Sequence, residues 1–139
     1  MQFLSLTKFS MLLIMALTLS CSRVQEQDLY GTYFAQYEFG SEKLVLRPNG
    51  EYEQNIEVTL TSESFQKLGK WRYIPEFSEV DLEDAFTVQD GFGHLDNSYN
   101  IPSEGRVLLG VDRWFPWSSI KLGSDELVQL EKLPADVAK

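Results

Sequence analysis

The chain is poor in the residues that build most catalytic and metal centres. Its 139 residues contain one cysteine, Cys21, and one histidine, His94. A single cysteine excludes an internal disulfide, and structural zinc sites want Cys or several His. Basic residues are scarce as well, with 12 Lys and Arg against 21 Asp and Glu and a net charge of −9. That balance excludes nucleic-acid binding, which needs clustered cations to release counterions. It equally excludes electrostatic attraction to anionic lipid. We read the acidity as solubility through net charge.

No Gly-x-Ser-x-Gly and no Gly-x-x-x-x-Gly-Lys occurs, so neither a nucleophile elbow nor a phosphate cradle is present. His94 lies in Asp90-Gly91-Phe92-Gly93-His94-Leu95-Asp96, and a lone loop histidine reads as solvated rather than as a general base. Asp90, Asp96 and Asn97 lack the spacing of a calcium loop. Glu79, Asp81, Glu83 and Asp84 read as the wet face of a strand, since no spacing singles out two acids held across a cleft. We therefore expect no cofactor, no metal and no enzyme.

Long apolar runs are also missing, with one exception. Phe9 to Leu19 is apolar but for Ser10 and Thr18, and follows the positive charge of Lys8. Its length suits the apolar region of a signal peptide, about 7–15 residues, and falls short of the ~20 that a spanning helix needs. The run Leu17-Thr18-Leu19-Ser20-Cys21 resembles the bacterial lipobox, with Thr18 standing where Leu is commonest. The resemblance implies a lipoprotein. Residues 1–20 would be removed and the Cys21 thiol diacylated, with the new amine usually acylated too. Several acyl chains hold a protein on a membrane where one holds it only reversibly. Ser22, in place of Asp, implies export to the outer membrane, facing the periplasm. Cleavage leaves 11 basic and 21 acidic residues, a balance of −10.

Past Cys21 the chain has one domain's worth of residues. Residues 21–28 are polar except Val24 and read as a lipidated tether. Residues 29–134 read as the folded domain, and 135–139 as a frayed tail. Leu44 and Leu46 alternate with Val45, and Arg47-Pro48-Asn49-Gly50 supplies turn chemistry, with a Gly free to take positive φ. Beyond the turn Tyr52, Ile56, Val58 and Leu60 share one face of a strand, with Gln54 the one polar break. Leu29 to Tyr37, Gly69 to Tyr73, the stretch around Val80 and Leu82, Arg106 to Gly110, Ser119 to Leu122 and Glu126 to Leu133 read as further strands. Asp90 to Gly105 reads as a long loop, and Ser62 to Leu68 as one or two helical turns. The fold class is all-β, a small antiparallel barrel or sandwich of about eight strands.

Leu29-Tyr30-Gly31-Thr32-Tyr33, the hairpin from Glu42 to Tyr52 and Gly69-Lys70-Trp71-Arg72-Tyr73 together resemble the small lipocalin-like lipoproteins of bacteria. The resemblance covers less than half of the mature chain and implies a meander of strands, with or without a ligand cavity. In lipocalins a Gly-x-Trp near the start of the domain plugs the barrel floor. Here the motif is mid-domain, and that role is not carried over.

Binding anchors are sought among Trp and Arg, which concentrate in Asp112-Arg113-Trp114-Phe115-Pro116-Trp117. A turn at Pro116 would bring Trp114 and Trp117 together; the plainer reading has the rings plug one end of the barrel. Candidate ligand or partner contacts are Arg113, Trp114, Phe115, Trp117, Trp71 and Tyr73. Two readings follow. One is a lipocalin-like binding module for a small apolar or amphipathic ligand, with strand aromatics such as Tyr33, Phe34, Tyr52, Trp71 and Tyr73 lining a cavity or filling the core. The other is a protein-interaction or structural envelope lipoprotein, such as an inhibitor, an immunity factor or an assembly accessory.

Overall fold

The structure is a computed structural model that describes residues 23–59, 61–88, 104–115, 117–125 and 128–137. One helical turn, α1 (Glu26–Leu29), precedes eight strands: β1 (Gly31–Gln36), β2 (Gly40–Leu46), β3 (Glu51–Val58), β4 (Glu63–Ile74), β5 (Glu79–Phe86), β6 (Glu104–Asp112), β7 (Lys121–Asp125) and β8 (Val128–Lys132). Each strand is hydrogen-bonded to its sequence neighbours, and β8 returns to β1, so the sheet closes as an antiparallel barrel. The fold is thus a closed barrel and not a sandwich. Closure removes the sheet edges that an open meander would expose.

Period-2 alternation decides which residues enter the barrel. On β2, Glu42, Leu44 and Leu46 are buried, and on β3, Tyr52, Gln54, Ile56 and Val58. The register places Leu46 opposite Tyr52 and Glu42 opposite Ile56, so these two sets face the same interior. The turn between them follows its sequence chemistry. Gly50 donates to the Arg47 carbonyl at 3.1 Å and takes φ 76°, and the Asn49 side chain accepts from the Glu51 amide at 3.1 Å. An eight-strand barrel is just wide enough for side chains to fill it or to hold one small ligand.

The two ends differ. At the end where the chain enters, which we call the floor, α1 lies across the opening. Leu29 is fully buried, and the Tyr33 hydroxyl donates to its carbonyl at 2.8 Å. Trp71 is buried there too, its indole N–H donating to the Arg47 carbonyl at 3.0 Å and its ring edge-on to Tyr30 at 6.0 Å. Despite its place in mid-domain, the Gly-x-Trp motif therefore closes the same end of the barrel as α1. Lys132 donates to the Asp28 carbonyl, and burial lowers its ammonium pKa. Residues 26–28, read from sequence as tether, thus form most of α1.

At the opposite end, the mouth, a smaller apolar cluster of Ile56, Val58 and Phe86 is flanked by Phe39, Phe65 and Val88. Nearer the floor, Gly69 on β4 makes room for the Tyr52 ring, which reaches past it to donate to the Glu83 carbonyl at 2.7 Å. A Cβ at Gly69 would lie 2.5 Å from that ring and 2.8 Å from the carbonyl oxygen. Burial pushes the Tyr52 phenol up to about 12, so it donates as a neutral hydroxyl.

Two expectations are corrected. Ser62 to Leu68 is not helical: Glu63 onward is strand, paired with β3 over eight residues from Glu51↔Lys70 to Val58↔Glu63. Pairing on one whole flank overrides the weak local spacing of Phe65 and Leu68. Asp81 is not on a wet face, being 1% exposed. Its side chain points outward, but Arg72 and Arg106 from the adjacent strands fold over it, each guanidinium 2.7 Å from the carboxylate. Those charge-assisted bonds hold its carboxyl below the usual carboxylate range.

Candidate functional site

The mouth half of the barrel holds a partly open cavity of about 180 Å³. Its wall is mostly apolar, with Leu82, Phe86, Val107, Leu109, Leu122 and Leu130, and its polar contributions include Glu42 and Gln54. An apolar cavity of about 150 Å³ holds a benzene-sized molecule, so this space suits a small ligand or the end of a larger one.

Glu42 is 3% exposed and Gln54 is 2% exposed. Gln54 uses both its N–H bonds: its amide N–H₂ donates to Glu42 Oε1 at 2.8 Å and to the Phe86 carbonyl at 3.1 Å, while its oxygen accepts from the Phe86 N–H at 2.8 Å. The other Glu42 oxygen accepts from the Tyr37 hydroxyl at 2.7 Å. A carboxylate has about four acceptor sites, so these two bonds leave acceptor capacity on a residue that lines the cavity. Burial raises the Glu42 pKa, and the bonds from Gln54 and Tyr37 oppose that rise. The same burial, with Glu42 beside it, raises the Tyr37 phenol. Chemically, the site offers a mostly apolar slot with a carboxyl group that gains a full charge when deprotonated, beside the polar side chains of Gln54, Thr87 and Arg106. The rim adds Glu38 and Glu63, which favour cations, and Glu104, whose charge is paired with Lys67 at 2.5 Å.

The residues singled out from sequence fall elsewhere. Trp71 and Tyr73, expected as ligand contacts, belong to the floor; the Tyr73 hydroxyl donates to the Val24 carbonyl at 3.3 Å. Neither lines the cavity. Tyr33 and Tyr52 fill the core, and Phe34 faces outward. Trp114 and Trp117 are 81% and 82% exposed, and Phe115 is exposed beside them, so these rings do not plug the barrel. The Phe115 and Trp117 rings stack at 5.2 Å on a turn closed by Ser118, whose N–H and hydroxyl both donate to the Phe115 carbonyl. Arg113 sits 3.6 Å from the Asp28 carboxylate. Cys21, Pro116, His94 and the loop residues Asp90, Asp96 and Asn97 lie outside the described residues.

Sequence reading missed Glu42. Its signal was available, because it shares strand parity with Leu44 and Leu46 and therefore points inward. Among the described residues no cluster of three or more metal-ligating side chains forms, and no helix is long and apolar enough to cross a membrane. Comparison with family models, curated proteins and solved structures returned no match, so fold and site stand on geometry alone.

Proposed function

We propose that this is a lipid-anchored envelope protein, tethered to the outer membrane through acylated Cys21 and facing the periplasm. In this reading its barrel is a non-catalytic, lipocalin-like module that binds a small amphipathic ligand. The observation that carries it is Glu42, a buried acceptor with spare capacity on the wall of an otherwise apolar cavity. Ligand sites are apolar pockets with a few placed polar groups. Here the buried ionisable group is acidic, and the one cationic lining residue, Arg106, is engaged by Asp81, so the favoured ligand has a short apolar body and a cationic or hydrogen-bond-donating end.

The test is thermal stabilisation by hexylamine, hexanol and hexanoate. Hexylamine should raise the melting temperature most and hexanoate least. Glu42→Gln should erase the preference for the amine, and Leu122→Trp, which fills the cavity, should abolish all three effects. If none of the three stabilises the wild-type protein, the cavity reading fails. The anchor is tested separately, by incorporation of labelled palmitate into wild type and not into Cys21→Ala. The alternative, a protein-interaction or structural envelope lipoprotein, draws on the exposed Trp114, Phe115 and Trp117.

A further inference from the structure

Among the described residues, large exposed apolar side chains are unevenly distributed on this barrel. Phe77, Trp114, Phe115, Trp117 and Val137 project at the floor end, while Phe34, Leu68 and Leu108 are spread along the wall. None of the eight lies in a described mouth turn. The turn that carries Phe77 is joined to the end of β6, which leads into the Trp114 turn, since the Val111 N–H donates to the Ser78 carbonyl at 2.7 Å.

The chain enters at this same end. Arg23 donates to the Pro75 carbonyl at 3.2 Å, in the turn that carries Phe77, and the Val24 carbonyl takes the Tyr73 hydroxyl. Asp28 faces Arg113, next to Trp114. Cys21 precedes Arg23 by two residues, a reach of at most about 7 Å. The apolar run Phe9–Leu19 lies just ahead of it.

We propose that the Trp114–Trp117 turn, with Phe77 beside it, rests in the interfacial layer of a lipid bilayer and stands the barrel upright, mouth outward. The inference rests on the reading of Cys21 as the membrane anchor. Trp is favoured at the headgroup level, where an apolar ring and a polar N–H are both satisfied. Electrostatics cannot supply the attraction for a chain this acidic, which leaves the rings. A protein partner fits less well on geometric grounds. A lead of about 7 Å is shorter than the ~10 Å width of one helix, so no folded domain fits between floor and bilayer.

The experiment uses the full chain, made with its own leader, purified in detergent and characterised by intact mass. It is then reconstituted into phosphatidylcholine vesicles with or without bromine on the upper acyl chain, a short-range quencher of Trp emission. Two of the three Trp lie on the turn and Trp71 is buried. Brominated vesicles should therefore remove roughly half of the wild-type emission. The double variant Trp114→Phe with Trp117→Phe should keep its residual emission unquenched. Acylated protein with no quenching overturns the inference and leaves the anchor standing, with the turn then free for a protein partner. If the mass shows no acyl chain, the anchor reading has failed. Vesicles added to that unacylated protein then decide the matter: quenching supports the turn as a lipid contact, and its absence overturns it.

Discussion

The two ends of this barrel are built from the same kinds of residue and do opposite things. At the floor, aromatic rings are either sunk into the core, as Trp71 and Tyr33 are, or thrown fully outward, as Trp114 and Trp117 are. At the mouth, the interior is left partly unfilled and a carboxyl group is buried beside the gap. A filled end can carry stability. A gap lined by an acid costs stability and is the kind of local inconsistency expected at functional sites.

Five substitutions sharpen that contrast. Trp71→Ala should do the most damage, about 3–5 kcal/mol in chemical denaturation, because it empties the floor and removes the indole bond to the Arg47 carbonyl, which keeps only that from Gly50. A loss below about 1 kcal/mol would show that the floor is not where the fold is held. Asp81→Asn, on the outer wall, should cost about 1–2 kcal/mol: removing one partner of a buried pair is expensive, but both guanidiniums stay solvated.

The pH dependence of that second effect has a definite sign. The Asp81 carboxyl is held below its ordinary value of 3.8. Its contribution is complete above that value and is lost as pH falls through the lower, folded-state value. Wild type should therefore lose more stability than Asp81→Asn on acidification below about pH 4.

Glu42→Gln comes next, with a stability change within about 1 kcal/mol near neutral pH and the opposite pH signature. The Glu42 pKa is raised above 4.5, so the fold favours its protonated form. Wild-type stability should fall as pH climbs from about 4.5 through the raised value, and the Gln variant should lack that fall. Parallel pH profiles for the two proteins would count against a buried, titrating Glu42. The smallest effect is expected of Trp114→Ala and Trp117→Ala, within about 0.5 kcal/mol, since exposed rings add little to folding. A larger loss would mean that the rings are structural.

Legibility from sequence tracked how local each signal was. The hairpin around Asn49 and Gly50 was readable because turn chemistry and alternation lie within one short segment. The inward face of β3 was readable for the same reason, and Gln54 stood out as its polar break. What was not readable needed a neighbour. Gln54 is explained only by Glu42 across the sheet and Phe86 on a distant strand. Asp81 was correctly placed on the outward face, yet its burial comes from Arg72 and Arg106 on the flanking strands. The β4 segment from Glu63 misled because local spacing spoke for a helix while the long pairing with β3 determined the outcome. Trp71 and Tyr73 were correctly put on one face, but only the closed barrel shows that this face meets the floor.

The seam between β1 and β8 has its own consequence. Only Tyr33↔Lys132 and Phe34↔Glu131 register across it, helped by the Leu133 N–H on the Thr32 carbonyl. Every other strand pairs with its neighbour in sequence, so the meander can assemble by successive short loop closures, whereas this one joins the two ends of the domain. It should zip last during folding and breathe first afterwards. The amides of Phe34 and Leu133 are thus the ones to watch for early exchange with solvent deuterium.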